Sequence, residues 1–162
     1  MAALSSFIEK EPALRAHHGL IRLETSRCLE FIDITDQVSA CVRRSGVRDG
    51  ILNVQTRHTT TAVLVGEHEP LLLEDLRGTL EKLAPSVHAY RHDDFSVRTV
   101  NMCPDEEKNG HSHCKALFLR SSETLNVVDG RMDLGAWQRI FLIELDRPRS
   151  RTVSVMVFGA EA

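Results

Sequence analysis

Several short stretches of this chain gather side chains capable of chemistry. In Thr56-Arg57-His58-Thr59-Thr60-Thr61 a histidine stands among hydroxyls. Such a histidine can act as a general base, a metal ligand or an anion contact, or simply bond to the threonines at the edge of a core. In Gly66-Glu67-His68-Glu69, Glu69 directly precedes Pro70 and reads as a helix cap, favoured by the helix dipole. Glu67 reads as a general base or a magnesium ligand. His88, His92, Asp93 and Asp94 lie in a polar stretch. The two histidines have the spacing of zinc ligands on one helix face, but no H-E-x-x-H accompanies them. The two aspartates suit a hard cation or a hydrated loop. In His111-Ser112-His113-Cys114-Lys115, a strand would set His111, His113 and Lys115 on one face, able to bind phosphate or metal. A lysine resists burial there unless paired. Gly135-Ala136-Trp137-Gln138 holds the only tryptophan, expected in the core with Phe141 and Ile143, and a glutamine whose amide can meet a ligand. No G-x-x-x-x-G-K-[ST], G-x-G-x-x-G or G-x-S-x-G is present, which removes the commonest nucleotide-binding and hydrolase readings.

These residues must be positioned by elements legible in the pattern. Residues 1–19 read as an N-terminal arm and 20–160 as one domain. Ile21, Leu23 and Leu29–Ile34 are strand-like. Asp36 reads as the cap of a short helix stopped by Gly46. A single strand is expected from Ile51 to Val65, with Thr56, His58, Thr60 and Leu64 on one face. Pro70 opens a helix whose Leu72, Leu73, Leu76, Leu80 and Leu83 recur at helical spacing. Residues 86–112 are irregular. Strands follow from His113 to Leu119, from Thr124 to Val128, then through an Asp129-Gly130 turn, and from Ala136 to Leu145 and Arg151 to Phe158. The expected class is α+β: mainly antiparallel sheet with two short helices.

The 162 residues carry 20 Lys+Arg against 23 Asp+Glu, a net charge of −3. Nucleic acid is therefore not the expected partner, because phosphate backbones demand a basic excess. With 42% hydrophobic and 27% charged residues the chain is globular rather than disordered. Cys28, Cys41, Cys103 and Cys114 form no C-x-x-C pair. The N-terminus lacks an apolar signal segment and no run suits a membrane span, so a cytoplasmic protein with reduced thiols is expected.

Taken in order, the segments resemble the YjbQ family, also called the secondary thiamine-phosphate synthase family or UPF0047. The match runs through His58-Thr59-Thr60-Thr61, Gly66-Glu67-His68, the helix from Pro70, His92-Asp93, His113-Cys114-Lys115 and Gly135-Ala136-Trp137-Gln138. The resemblance implies a β-sandwich-like α+β fold, a homotrimer and a weak thiamine-phosphate synthase activity. That reaction joins an aminopyrimidine-methyl diphosphate to a thiazole phosphate and releases pyrophosphate. The chain departs from the pattern at Thr60-Thr61 in place of Ser-Ala, and at Gly66 and His68 in place of the asparagines flanking Glu67. Residue chemistry then suggests His58, Glu67 and His113 as catalytic groups. Thr59, Thr60, Lys115 and Gln138 are the expected contacts to a small phosphorylated substrate. Glu67, Asp93, His111 and His113 are the expected metal ligands, for Mg²⁺ on the diphosphate. Two rivals stand beside this reading: a Zn²⁺-dependent hydrolase or lyase built on His58, His111 and His113, and a non-catalytic trimer that binds a small molecule or metal.

Overall fold

Alternation is clearest at the C-terminus. Arg151, Val153, Val155 and Val157 all turn inward on a strand spanning Ser150–Glu161. The computed structural model describes residues 13–161. Its elements, among the described residues, are β1 (Leu14–Glu24), β2 (Glu30–Asp33), α1 (Thr35–Ser45), β3 (Val47–Thr56), β4 (Thr61–Glu67), α2 (Pro70–Leu83), α3 (Gly110–Phe118), β5 (Ser122–Val128), β6 (Arg131–Met132), β7 (Gln138–Glu144) and β8 (Ser150–Glu161). A five-stranded antiparallel sheet runs β1-β8-β3-β5-β6, and a three-stranded one runs β2-β7-β4.

The two sheets pack face to face. Leu52, Val54, Val153, Val155 and Val157 of the larger meet Val63, Ile140 and Leu142 of the smaller, and α1 closes this core with Val38, Cys41 and Val42. The other face of the small sheet packs under α2, where Phe141 and Ile143 meet Leu73 and Leu80. β7 is therefore buried on both faces, which explains its unbroken apolar run Ile140–Ile143. Each such side chain contributes roughly 1.5–3 kcal/mol on burial.

Three expected features hold. Gly46 ends α1 in the left-handed region at φ 71°. Glu69 caps α2, accepting from the backbone N–H of Leu71 and Leu72. Asp129 and Gly130, at φ 49° and 74°, form the tight turn between β5 and β6.

Other expectations are corrected. β1 begins at Leu14, inside the expected arm, because Leu14–Glu24 pairs along its length with Ser150–Ala160. Residues 1–12 of that arm lie outside the described residues. Asp36 is not the cap of α1: it lies in the first turn, the cap position is Ile34, and Asp33 just before it accepts from the Thr35 amide at 2.9 Å. The long strand from Ile51 to Val65 is two strands in different sheets, joined by a corner at Arg57–Thr60. Thr56 and Thr61 bond to each other through their hydroxyls across that corner. Among the described residues the α-helices number three, not two, because the segment from His113 expected as a strand is helical. Trp137 is not core: it lies in the turn before β7 and is 75% exposed. No helix among the described residues is long and apolar enough to cross a membrane.

Candidate functional site

The corner between β3 and β4 opens into a cavity of about 480 Å³. Arg57, His58, Thr59 and Thr60 of the corner line one side. Arg149 and Arg151, at the start of β8, line the floor. His92, Arg98, Asn101, Glu106 and Asn109 of the long loop, with His113 of α3, close the other side. Four arginines and three histidines share the lining with one carboxylate, Glu106, which is paired with Arg98 at 3.0 Å; behind the lining, Asp146 pairs with Arg149 at 3.3 Å and Glu144 with Arg151. A cavity so lined attracts anions.

Arg151 is placed by strand alternation. It continues the inward face of Val153 and Val155 to the end of β8, where the apolar core gives way to the cavity. Only 3% exposed, it is held by the wholly buried Glu144 through two bonds of 2.6 Å. Thr60 Oγ1 accepts a third bond from its Nη2 at 3.2 Å.

His58 is fixed by the backbone beside it. Its Nε2 accepts from the Thr152 N–H at 2.9 Å. That bond assigns the proton to Nδ1 in the neutral ring. Burial, and then the neighbouring Arg151 charge, push its pKa below the usual histidine value. His58 is thus a neutral hydrogen-bond donor, with its basic nitrogen already engaged. His113 and His92 meet edge to face with ring centroids 4.6 Å apart. Burial, then the charges of His92 and Arg98, lower the His113 pKa as well. Two buried polar atoms on this side, His92 Nε2 and Asn109 Oδ1, have no hydrogen-bond partner among the described residues. Leaving such an atom unpaired costs about 1–3 kcal/mol, a cost that native structures tend to confine to functional places.

The loop is pinned over the cavity. Asp93 Oδ1 accepts from the N–H groups of Asn109 and Gly110 at 2.9 and 2.8 Å, holding the first turn of α3. Gly110 is required there, since a Cβ would lie 2.5 Å from Tyr90 Cβ. Arg98 binds the carbonyls of His92, Val100 and Asn101, so it knits the loop rather than reaching for a ligand.

Of the expected site residues, the fold brings together His58, Thr59, Thr60 and His113. Glu67 does not join them. It closes β4, about 20 Å from the corner at 3.3 Å per residue, and pairs with Gln138. Gln138 lines a separate groove with Phe118 and Leu125, and its Oε1 accepts from the Gly135 N–H. Lys115 is 0% exposed, paired with Glu81 of α2 at 2.9 Å, and not part of the cavity lining. His111 bonds Ser112 Oγ outside the cavity, and Asp93 serves the α3 terminus. Helical geometry is the reason: His111 and Lys115 share a helix face that His113 leaves. The expected metal ligands therefore stand apart. Among the described residues, no group of three or more His, Cys, Asp or Glu is arranged around one point.

The arginines of the site and Glu144 were not singled out from the sequence. Their signal was present. The alternation of β8 extends inward to Arg151, and a glutamate interrupts the apolar run Ile140–Leu145. A buried cation and a buried carboxylate each call for a partner.

Relatives match the chain along most of its length. Residues 19–160 match the family model described as UPF0047 protein YjbQ-like. A UPF0047 protein of Methanothermobacter thermautotrophicus is 43% identical over 137 residues, covering 85% of this chain and 88% of that one. One from Archaeoglobus fulgidus is 42% identical, covering 83% and 96%. A crystal structure of a YbjQ-like protein of unknown function from Sulfolobus solfataricus P2 superposes with a TM-score of 0.82 at 32% identity, covering 91% of this chain and 99% of that one. Sequence match and superposition agree, and this chain belongs to the YjbQ-like UPF0047 family.

Proposed function

We propose that the arginine-lined cavity is the substrate site of a transferase acting on small phosphorylated molecules, of thiamine-phosphate synthase type. The observation that carries this reading is the set of arginines converging on one cavity, with Arg151 held in place beside a neutral His58. In the proposed reaction the methylene–oxygen bond of the aminopyrimidine-methyl diphosphate breaks and pyrophosphate takes the electron pair. The thiazole nitrogen then forms the new bond to the methylene carbon. Negative charge develops on the leaving diphosphate. In this reading Arg57, Arg149 and Arg151 stabilise it, and His58 Nδ1–H donates to it. His58 thereby serves as a donor rather than the general base expected from its residue type.

The residues present do not form a cage for Mg²⁺. Glu67 is remote, Asp93 caps α3 and Glu106 is paired with Arg98. A divalent cation in this reading enters with the diphosphate as part of the substrate. One second reading, a Zn²⁺-dependent hydrolase or lyase, has only the His92–His113 contact behind it, since no third His, Cys, Asp or Glu joins these rings among the described residues. The homotrimer belongs to the same proposal. Leu20, Ile51, Met156 and Phe158, all at least 41% exposed on the large sheet, support a face covered by a second copy. The four unpaired cysteines support a cytoplasmic setting.

The test is thiamine-phosphate formation by purified protein with Mg²⁺, wild type beside His113→Ala and Arg151→Lys. Turnover in the wild type that falls at least about tenfold in both folded variants supports the reading. No turnover in the wild type rejects it. Zinc bound stoichiometrically and lost in His113→Ala moves the assignment to the second reading.

A further inference from the structure

Glu144 is wholly buried in a strand that is apolar on both faces. A carboxylate there is tolerated only if its oxygens are satisfied. They are. Oε1 accepts from Arg151 Nη2 at 2.6 Å and from the Asp146 N–H at 2.9 Å. Oε2 accepts from Arg151 Nε at 2.6 Å and from Thr25 Oγ1 at 2.9 Å. Every acceptor position of the carboxylate is taken. Thr25 Oγ1 in turn accepts from the Arg149 N–H at 2.9 Å, so the same network fixes a second cavity arginine.

The donors of Arg151 can be followed the same way. A guanidinium has five N–H groups in a fixed plane. Glu144 takes one from Nε and one from Nη2, and Thr60 takes the other from Nη2. Both N–H groups of Nη1 remain, with no partner among the described residues, on a side chain that lines the cavity. Glu144 sits in the small sheet, Arg151 at the start of the last strand of the large one with Arg149 just before that strand, and Thr60 at the corner joining the two. The guanidinium plane is thus set by both sheets.

We infer that Glu144 is a positioning residue for a phosphate subsite, in which the Nη1 edge of Arg151 and the Nδ1–H of His58 bind the oxygens of a phosphate or diphosphate. This rests on the phosphate reading of the cavity given above. Glu144 touches no ligand; it acts through Arg151. A carboxylate that only stapled the sheets together would affect stability and leave anion affinity alone.

The experiment is calorimetric titration with inorganic pyrophosphate, with a thermal melt of every protein. Glu144→Gln keeps the shape but sets an amide NH₂ against N–H donors, freeing Arg151 to turn. Its pyrophosphate Kd is expected to rise about tenfold or more, on the scale of one lost charged hydrogen bond, while the variant still melts cooperatively. Arg151→Ala is expected to lose binding and to regain it when guanidinium ion is added at millimolar concentration. The Arg151→Ala/Glu144→Gln double variant is expected to show no such rescue, because the carboxylate is what retains the guanidinium. Unchanged affinity in folded Glu144→Gln, or equal rescue of the double variant, overturns the role of Glu144. Should Glu144→Gln fail to fold, Thr25→Val removes one of the four bonds and is expected to weaken binding severalfold; unchanged affinity there also overturns it. A wild type that leaves pyrophosphate unbound overturns the phosphate reading itself, and the inference with it.

Discussion

His58 shows how a single hydrogen bond decides what a residue can do. Its residue type allows a base, a ligand or a donor, and the Thr152 N–H on Nε2 selects the donor. Replacing it tests this directly. His58→Gln can keep an acceptor near Nε2, whereas His58→Ala leaves the Thr152 N–H unpaired. His58→Ala is expected to be less stable than His58→Gln by about 1–2 kcal/mol in urea unfolding. The same bond predicts a pH dependence. Burial, with Arg151 beside it, lowers the folded-state pKa of His58, and an unfolded histidine titrates near 6.5. The unfolded chain then binds the proton first on acidification. The contribution of His58 to stability is full above that value and is lost as pH falls through the lowered pKa. Urea midpoints of wild type and His58→Gln are therefore expected to converge between pH 8 and pH 5; parallel curves would contradict the assignment.

At the level of elements, α3 carries the main lesson. The alternating histidines before Lys115 suggest a strand, and the segment is a helix. What makes it helical is remote in sequence. Asp93 caps its first turn from 16 residues away, and the Lys115–Glu81 pair fastens its far end to α2. Neither signal lies inside the segment, so local alternation could not reveal it. Where the signals are local, as at Glu69-Pro70 and Asp129-Gly130, the sequence is a sufficient guide. The β3–β4 corner is a third case. Its threonines keep strand propensity through the bend, and no glycine or proline marks where the chain changes sheets.

The α2–α3 fastening makes its own prediction. Burial alone would raise the pKa of Glu81, but bonds from Ser86 and the Lys115 ammonium hold it at about 2. Glu81→Gln leaves the Lys115 charge buried without its counterion and is expected to cost about 3 kcal/mol. Lys115→Met leaves Glu81, 39% exposed, to water, and is expected to fall within about 1 kcal/mol of wild type. A double-mutant cycle by chemical denaturation checks both, and a severe loss in Lys115→Met would show that the lysine does more than pair.

For the molecule as a whole, the candidate site sits where the chain passes from one sheet to the other, with residues from that corner, from the start of β8, and from the loop and helix α3. The resemblance identified the family, and four of the expected site residues meet in one cavity. Two of the four cavity arginines, Arg149 and Arg151, come from the β7–β8 connection and the start of β8, where the sequence reads as an ordinary turn and strand. The motif around Glu67, Trp137 and Gln138 lies at the opposite end of β4 and remains outside the cavity of a single chain.

The exposure of Trp137 has a spectroscopic consequence. It is the only tryptophan, and three-quarters of it faces water in the folded chain. Its emission will start red and shift little on unfolding, so a urea curve followed by fluorescence will show a small amplitude beside a full circular-dichroism transition. The same indole becomes a sensitive reporter of anything that covers this face. If a second copy does so, emission moves to the blue and iodide quenching falls as protein concentration rises. Constant emission across the association range would leave Trp137 outside the contact.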